Sequence, residues 1–231
     1  DGITTGGGHD VVLGDSGSVD YVVTDNDEAH ADVVKSQQTS LDGNDIISLG
    51  QGNNFAIAGH GNDFVTSGTG NDFIIGDSGT LTFGVTGRLR TAVSEDDIGG
   101  DDQITIEGGD NIVIGGTGKD AITTGDGVDI ILGDVGEIDY VVDDDDETDI
   151  DRLVAPGSTL GSDDVIKSGD GDGFIFGQTG SDTITSGTGR DMIFGDHGQL
   201  YGSIDAASLP LTVLDDPFTF ISFDTQASYQ N

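Results

Sequence analysis

Aspartate or its amide recurs every nine residues in three stretches of the chain, as Asp45, Asn54, Asp63 and Asp72, then Asp102, Asn111, Asp120 and Asp129, then Asp164, Gly173, Asp182 and Asp191. Carboxylates in such numbers suit proton transfer between close pairs, contacts to turn backbone, or neutralisation of a cation. The adjacent pairs Asp101/Asp102 and Asp163/Asp164 have the residue types for acid–base work, yet each falls at a repeat position with a structural use. His9, His30, His60 and His197 lie in or beside turns and are too far apart in the chain to share a metal. No Ser nucleophile elbow and no HExxH motif occurs, and Gly-Thr-Gly-x-Asp is followed by no Lys-Ser/Thr that would make it a phosphate cradle. The sequence gives no reason to expect an enzyme.

Charge narrows the choice further. The chain of 231 residues carries 44 acidic and 7 basic side chains, a formal charge of −37 that repels phosphates and anionic lipid, so no nucleic-acid partner is expected. Of the acids, 39 are Asp and 5 are Glu, which favours carboxylates held close to turn backbone over general solubility. With 33% hydrophobic residues and no Trp, a compact chain at this charge calls for a counter-cation. There is no Cys to supply disulfides or thiolate ligands. No apolar run reaches the ~18 residues of a membrane span, and any export signal is expected to lie outside this chain or to have been removed.

The elements that position these acids are also written in the nine-residue period. Two residues after each stands a β-branched residue or Ala, as in Ile47, Ala56, Val65 and Ile74, and Gly recurs two residues before most of them, as in Gly52, Gly61 and Gly70. Twelve consecutive matches to one template mark a repeat architecture.

The template resembles the RTX, or haemolysin-type, calcium-binding repeat, G-G-x-G-x-D-x-U-x with U a large apolar residue. Its clearest copies are Gly115-Gly116-Thr117-Gly118-Lys119-Asp120-Ala121-Ile122-Thr123 and Ser67-Gly68-Thr69-Gly70-Asn71-Asp72-Phe73-Ile74-Ile75. The resemblance implies an all-β fold, a right-handed parallel β-roll in which a six-residue turn and a three-residue strand alternate and two repeats close one coil of eighteen. It also implies multiple Ca²⁺ ions held between turns by carbonyls and Asp carboxylates. Gly lets carbonyls converge, and Ca²⁺ accepts 6–8 hard oxygens in a flexible geometry. The implied ligands on one edge are Asp45 with Asp63, Asp102 with Asp120 and Asp164 with Asp182, extended by Asp77, Asp134 and Asp196. On the other edge they are Asp10, Asn54 with Asp72, Asn111 with Asp129, and Asp191 opposite Gly173; this edge departs from the pattern at Asn54, Asn111 and Gly173, so weaker sites are expected there.

A longer period lies above the nine-residue one. Gly-Asp-x-Gly closes each block at Gly14, Gly76, Gly133 and Gly195, and an acidic, irregular stretch follows. From Asp10 to Asp72 is 62 residues, from Asp72 to Asp129 is 57 and from Asp129 to Asp191 is 62, against 54 for three coils. The acidic stretches are therefore expected to be enlarged turns in one continuous roll of about ten coils over residues 1–200, with repeat blocks at about 4–17, 40–80, 97–137 and 159–199. Two of them match, Asp20–Glu28 and Asp139–Glu147, and turn parity assigns them to the edge depleted of Asp; the middle one carries Arg88 and Arg90 and is expected to bind nothing at its tip. Residues 201–231 leave the pattern and are expected to cap the roll or to begin a further block.

The outward-facing residues after alternate turns are apolar throughout: Val11/Leu13, Phe55/Ile57, Phe73/Ile75, Ile112/Ile114, Ile130/Leu132, Phe174/Phe176 and Met192/Phe194. One outer face is thus expected to be buried against a partner, either a neighbouring domain or a second copy of the chain, since the 209–223 segment is too short to cover it. The functional expectation is a calcium-binding structural module of a larger secreted or cell-surface bacterial protein that leaves by type I secretion and folds on Ca²⁺. The alternative is a solenoid that recognises a ligand or surface, as adhesins do; ice binding is its least favoured form, because no continuous rank of Thr and Asn is present.

Overall fold

The computed structural model describes residues 1–21, 31–37, 43–95, 99–141 and 150–201. The chain begins with β1 (Gly2–Thr4) and β2 (Val11–Leu13), then β3 (Gly17–Asp20) and β4 (Val33–Ser36). The second block runs β5 (Ile46–Ser48), β6 (Phe55–Ile57), β7 (Phe64–Thr69) and β8 (Phe73–Ile75), then β9 (Gly79–Phe83) and β10 (Leu89–Ser94). The third repeats this as β11 (Gln103–Gly108), β12 (Ile112–Ile114), β13 (Ala121–Thr123) and β14 (Asp129–Leu132), then β15 (Glu137–Asp139) and β16 (Arg152–Ala155). The last holds β17 (Val165–Lys167), β18 (Gly173–Phe176), β19 (Thr183–Thr185), β20 (Met192–Phe194) and β21 (Gly198–Tyr201).

Successive repeats alternate between two parallel sheets of seven strands, ordered β1-β5-β7-β11-β13-β17-β19 and β2-β6-β8-β12-β14-β18-β20. The repeat dictates this. The residue two after each Asp is the middle of a strand and points between the sheets, so Ile47, Ala56, Val65, Ile74, Ile104, Val113, Ile122, Ile131, Ile166 and Ile175 form one fully buried row. The turns reverse the chain within six residues because Gly52, Gly61 and Gly70 adopt φ of 117°, 121° and 142°, which a side chain would oppose. The result is the parallel β-roll expected from the repeat.

Two expectations are corrected. The described residues make seven coils, not about ten, because the first block contributes one coil and each of the other three contributes two instead of three. The described residues between the coils are not simple enlarged turns: they form antiparallel strand pairs that assemble into a third seven-stranded sheet, β3-β4-β9-β10-β15-β16-β21. The loops Asp20–Glu28 and Asp139–Glu147 fall mostly outside the described residues, as does all of the expected cap beyond Tyr201.

The third sheet also settles what covers the apolar face. Leu81 and Phe83 of β9, Leu89 and Ala92 of β10, Ile138 of β15 and Leu153 and Ala155 of β16 pack in one cluster with Ile57, Phe73, Ile75, Ile114, Ile130, Leu132, Phe174 and Phe176 of the second parallel sheet. Phe55 meets Phe83 edge to face with ring centroids 5.0 Å apart. The face read as a docking surface for a neighbouring domain or second copy is therefore buried by this chain's own strands. Val11 at its end is 46% exposed, and Phe55 and Ile112 are partly buried.

The closing glycine of the first three Gly-Asp-x-Gly motifs makes the reversal possible. A Cβ on Gly136 would lie 2.2 Å from Leu132 Cδ2, on Gly79 2.7 Å from Ile75 Cδ1 and on Gly17 2.6 Å from Leu13 Cδ1. The chain folds back across the outward side chain of the strand it has just left, and only glycine leaves room.

Candidate metal centres along one edge of the roll

The turns that carry the chain from the second parallel sheet to the first stack into one edge, called here the first edge. Along it a single hydrogen-bond ladder joins the aspartates. The N–H of Asp45 donates to Asp63 Oδ1 at 2.7 Å, Asp63 to Asp102 at 2.8 Å, Asp102 to Asp120 at 2.8 Å, Asp120 to Asp164 at 2.8 Å and Asp164 to Asp182 at 2.9 Å. The expected pairs eighteen residues apart are therefore neighbours, and the rungs from Asp63 to Asp102 and from Asp120 to Asp164 carry the row across the strand pairs that interrupt it. Asp spans one inter-strand step to the next backbone, which is the physical reason for its excess over Glu.

Asp63, Asp102, Asp120, Asp164 and Asp182 each spend one oxygen on the ladder, and Asp45 spends Oδ1 on the Asp1 ammonium. The other, Oδ2 of Asp45, Asp63, Asp102, Asp120, Asp164 and Asp182, is buried and meets no hydrogen-bond donor. Carbonyl oxygens crowd the same space. The point where a Cβ on Gly76 would sit lies 2.4 Å from Asp102 Oδ2 and 2.3 Å from Gly115 O. The same holds at Gly115 for Asp120 Oδ2 at 2.6 Å and Gly133 O at 2.1 Å, and at Gly133 for Asp164 Oδ2 at 2.4 Å and Gly177 O at 2.5 Å. It recurs at Gly177 for Asp182 Oδ2 and at Gly14 for Asp45 Oδ2, each at 2.5 Å.

A carboxylate and a carbonyl aimed at one space without a donor between them repel, unless a proton or a cation intervenes. Burial, aided by the neighbouring carboxylates, pushes Asp102 up to about 10, Asp120 to about 9, Asp164 to about 8 and Asp63 to about 7. Among the described residues no group of three or more His, Asp or Glu side chains is placed to hold a metal by side chains alone. The donor set is instead carboxylate plus backbone carbonyl, all hard oxygen, which suits Ca²⁺ and not a transition metal.

The opposite edge shares the ladder but not the orphaned oxygens. Asp10 N–H donates to Asn54 Oδ1 at 3.1 Å, Asn54 to Asp72 at 2.9 Å, Asp72 to Asn111 at 3.0 Å and Asn111 to Asp129 at 3.1 Å. The Oδ2 atoms of Asp72 and Asp129 each accept from a hydroxyl, Ser67 Oγ and Thr124 Oγ1, both at 2.6 Å. Sequence reading missed these two hydroxyls, whose signal is a Ser or Thr five residues before the Asp. At the ends of this edge Asp10 Oδ2 and Asp191 Oδ1 are buried without a donor. Gly173 stands in register with Asp129 and contributes no side chain.

The aspartates of Gly-Asp-x-Gly accept from the turns around them, although Oδ1 of Asp134, like the first-edge Oδ2 atoms, is buried with no donor. Asp77 accepts from Gly100 N–H at 3.1 Å and from the Thr117 N–H and hydroxyl, and Asp134 accepts from Thr179 N–H at 2.7 Å. Asp15, not singled out from sequence, accepts from His60 N–H at 2.7 Å. They pin the return of each excursion to the following turn. Asp196 is exposed at the end of the described roll. These excursions leave on the Asp-rich first edge, which corrects the parity that assigned the acidic loops to the depleted edge.

Gln178 takes the place that Gly59 and Gly116 hold in their turns and is, among the described residues, the one non-glycine with positive φ, 70°. Its amide donates to Val135 O at 2.8 Å and Pro156 O at 2.9 Å and accepts from Asp134 N–H at 3.0 Å, tying the turn to the third sheet.

A second row of side chains lines the outside of the turns. Asn44, Asn53, Asn71, Asp101, Asp110, Asp163 and Asp172 each accept through Oδ1 from a backbone N–H of the following coil, at 2.7 to 3.0 Å. These rungs are exposed and structural.

The family model that matches is described as the RTX calcium-binding nonapeptide repeat; it covers residues 39–74, 106–137 and 167–199 in 4 copies. No curated protein and no solved structure matches the chain.

Proposed function

The nonapeptide repeats of this chain belong to the RTX calcium-binding family, and from that premise we propose that the chain is a calcium-folded structural module of a larger secreted or cell-surface protein. The observation that supports this reading is the row of buried first-edge Oδ2 oxygens with no donor. Asp45, Asp63, Asp102, Asp120, Asp164 and Asp182 would hold the ions, together with carbonyls of the glycine turns such as Gly115 O, Gly133 O and Gly177 O. Bound Ca²⁺ supplies the positive charge that this row lacks. The rest is done by the chain: Oδ1 of each Asp fixes the spacing of two coils, glycine keeps the carbonyls accessible, and the ladder places the next carboxylate in register.

Charge gives the reading its biological sense. A chain at −37 opposes its own compaction where calcium is scarce. Export as an unfolded chain, followed by folding where calcium is millimolar, fits such a polymer, and no catalytic role is proposed for it. Among the described residues no helix is long and apolar enough to cross a membrane.

Titration calorimetry with CaCl₂ and, separately, MgCl₂ tests this reading. Calcium should bind with release of protons at pH 7, from carboxylates held above their ordinary range, and magnesium should bind far more weakly because it resists dehydration and rigidly prefers octahedral geometry. Absence of calcium heat at millimolar concentration would refute the proposal.

A further inference from the structure

The two edges of the roll use nearly the same ladder but leave different atoms unsatisfied, and the difference lies in a unit that occurs twice. Asn54 Nδ2 donates to Gly52 O at 3.0 Å and to Asp72 Oδ1 at 2.9 Å, while Ser67 Oγ donates to Asp72 Oδ2 at 2.6 Å. Fifty-seven residues later, Asn111 Nδ2 donates to Gly109 O at 2.7 Å and to Asp129 Oδ1 at 3.0 Å, while Thr124 Oγ1 donates to Asp129 Oδ2 at 2.6 Å.

In each unit a side-chain amide N–H₂ lies between a turn carbonyl and the carboxylate of the next coil. The carboxylate oxygen that each amide meets is the ladder oxygen Oδ1; Oδ2, the oxygen left without a donor on the first edge, is met here by the hydroxyl five residues before the Asp, where the first edge has Gly115 before Asp120 and Gly177 before Asp182. Both oxygens of Asp72 and of Asp129 are satisfied, and neither residue leaves a buried atom unpaired, in contrast to all six first-edge aspartates. An ion placed there would have to displace an amide donor that already neutralises the partial charges, and would gain only the neutral Oδ1 of Asn54 or Asn111 in return.

We infer that between the second and fifth coils the second edge holds no calcium, its ions being replaced by the Asn54–Asp72–Ser67 and Asn111–Asp129–Thr124 hydrogen-bond units. The inference rests on the calcium reading of the first edge. It makes the roll one-sided: ions line the first edge, and the second is held in register without metal except toward its ends, where Asp10 and Asp191 keep an unpaired oxygen. The metal-free units adjoin the second parallel sheet and the apolar cluster beneath the third sheet.

Counting ions by native mass spectrometry in the full chain tests this. N54D with N111D removes both amide donors and restores a carboxylate pair in each unit, so the double variant should bind more Ca²⁺ than wild type, one ion per restored pair. An unchanged count would overturn the inference. A companion pair guards against a fold defect in that variant: D72N should leave the count unchanged, and D120N should lower it. Loss of ions in D72N equal to that in D120N would also overturn the inference. Should wild type bind no calcium at all, the calcium reading itself fails, and that outcome is distinct from the other two.

Discussion

The backbone N–H of Asp102 donates to Oδ1 of Asp120 at 2.8 Å, while Oδ2 of the same Asp120 carboxylate is buried with no donor. One side chain thus couples two tasks, holding two coils in register and presenting a charge that the protein itself leaves unneutralised. The same geometry recurs along the first edge, so register and ion binding are inseparable there.

The metal-free chain should respond to pH in the direction opposite to an ordinary salt-bridged protein. Folded-state values raised to about 7 at Asp63, about 8 at Asp164, about 9 at Asp120 and about 10 at Asp102 lie above the ordinary 3.8, so the folded state binds protons more tightly than the unfolded chain. Their contribution to stability is fully present below the ordinary value and is lost as pH rises through about 7 to 10. In EDTA, the β-structure signal in far-ultraviolet circular dichroism should therefore grow on going from pH 9 to pH 5. With saturating calcium the trend should weaken or reverse, because protons compete for the same oxygens. A signal in EDTA that grows with pH would contradict the assignment.

Glycine at Gly115 should be indispensable for binding, not just for folding. A Cβ there would lie 2.1 Å from Gly133 O and 2.6 Å from Asp120 Oδ2, whereas on Gly108 the nearest atom is Asp126 O at 3.3 Å. Gly115→Ala should raise the calcium concentration at the folding midpoint by about tenfold or more, and Gly108→Ala by much less. Calcium titrations followed by circular dichroism compare the two.

Much of this was legible in the sequence. The period of nine placed Ile47, Val65 and Ile122 in the core, fixed the partners of Asp45, Asp102 and Asp164, and marked Phe55, Phe73 and Phe174 as a buried outer face. What it did not reveal was the cover of that face. The excursions are short and irregular in composition, and their strand pairing is spread over residues as distant as Leu81 and Val34, or Ala92 and Ile138, so no local period announces it. The retrospective signal is the closing glycine of Gly-Asp-x-Gly, which serves a chain folding back on its own strand. Nor did the repeat distinguish Asp72 from Asp120: both occupy one template position, and only the hydroxyl of Ser67 and the amide of Asn54 separate them.

Because the third sheet covers the apolar face, substitutions there should destabilise the monomer instead of weakening an association. Leu153→Ala, at a fully buried position in the cluster, should cost about 2–5 kcal/mol in denaturant unfolding with calcium present. Phe55→Ser with Phe73→Ser should likewise lower stability and raise apolar-dye binding. Sedimentation that showed a dimer in wild type and a stable, well-folded monomer in the double variant would restore the docking interpretation.

Gln178 offers a separate test of how the excursions are tied to the turns. Gln178→Ala keeps a side chain at positive φ and removes three hydrogen bonds, to Val135 O, Pro156 O and Asp134 N–H, so it should destabilise by at least about 1–3 kcal/mol. Gln178→Gly loses the same bonds but relieves the backbone and should be the milder of the two. Thermal melts in calcium that reversed this order would show that the backbone conformation at Gln178 is unstrained.

The central claim is that the first-edge carboxylates need calcium for the roll to form. Far-ultraviolet circular dichroism of the chain at pH 7.5, in EDTA and then across a calcium titration, tests it most directly. The account predicts little β-structure signal in EDTA and a cooperative gain as calcium approaches the millimolar range. Identical spectra in EDTA and in calcium, with the same urea midpoint, would contradict it.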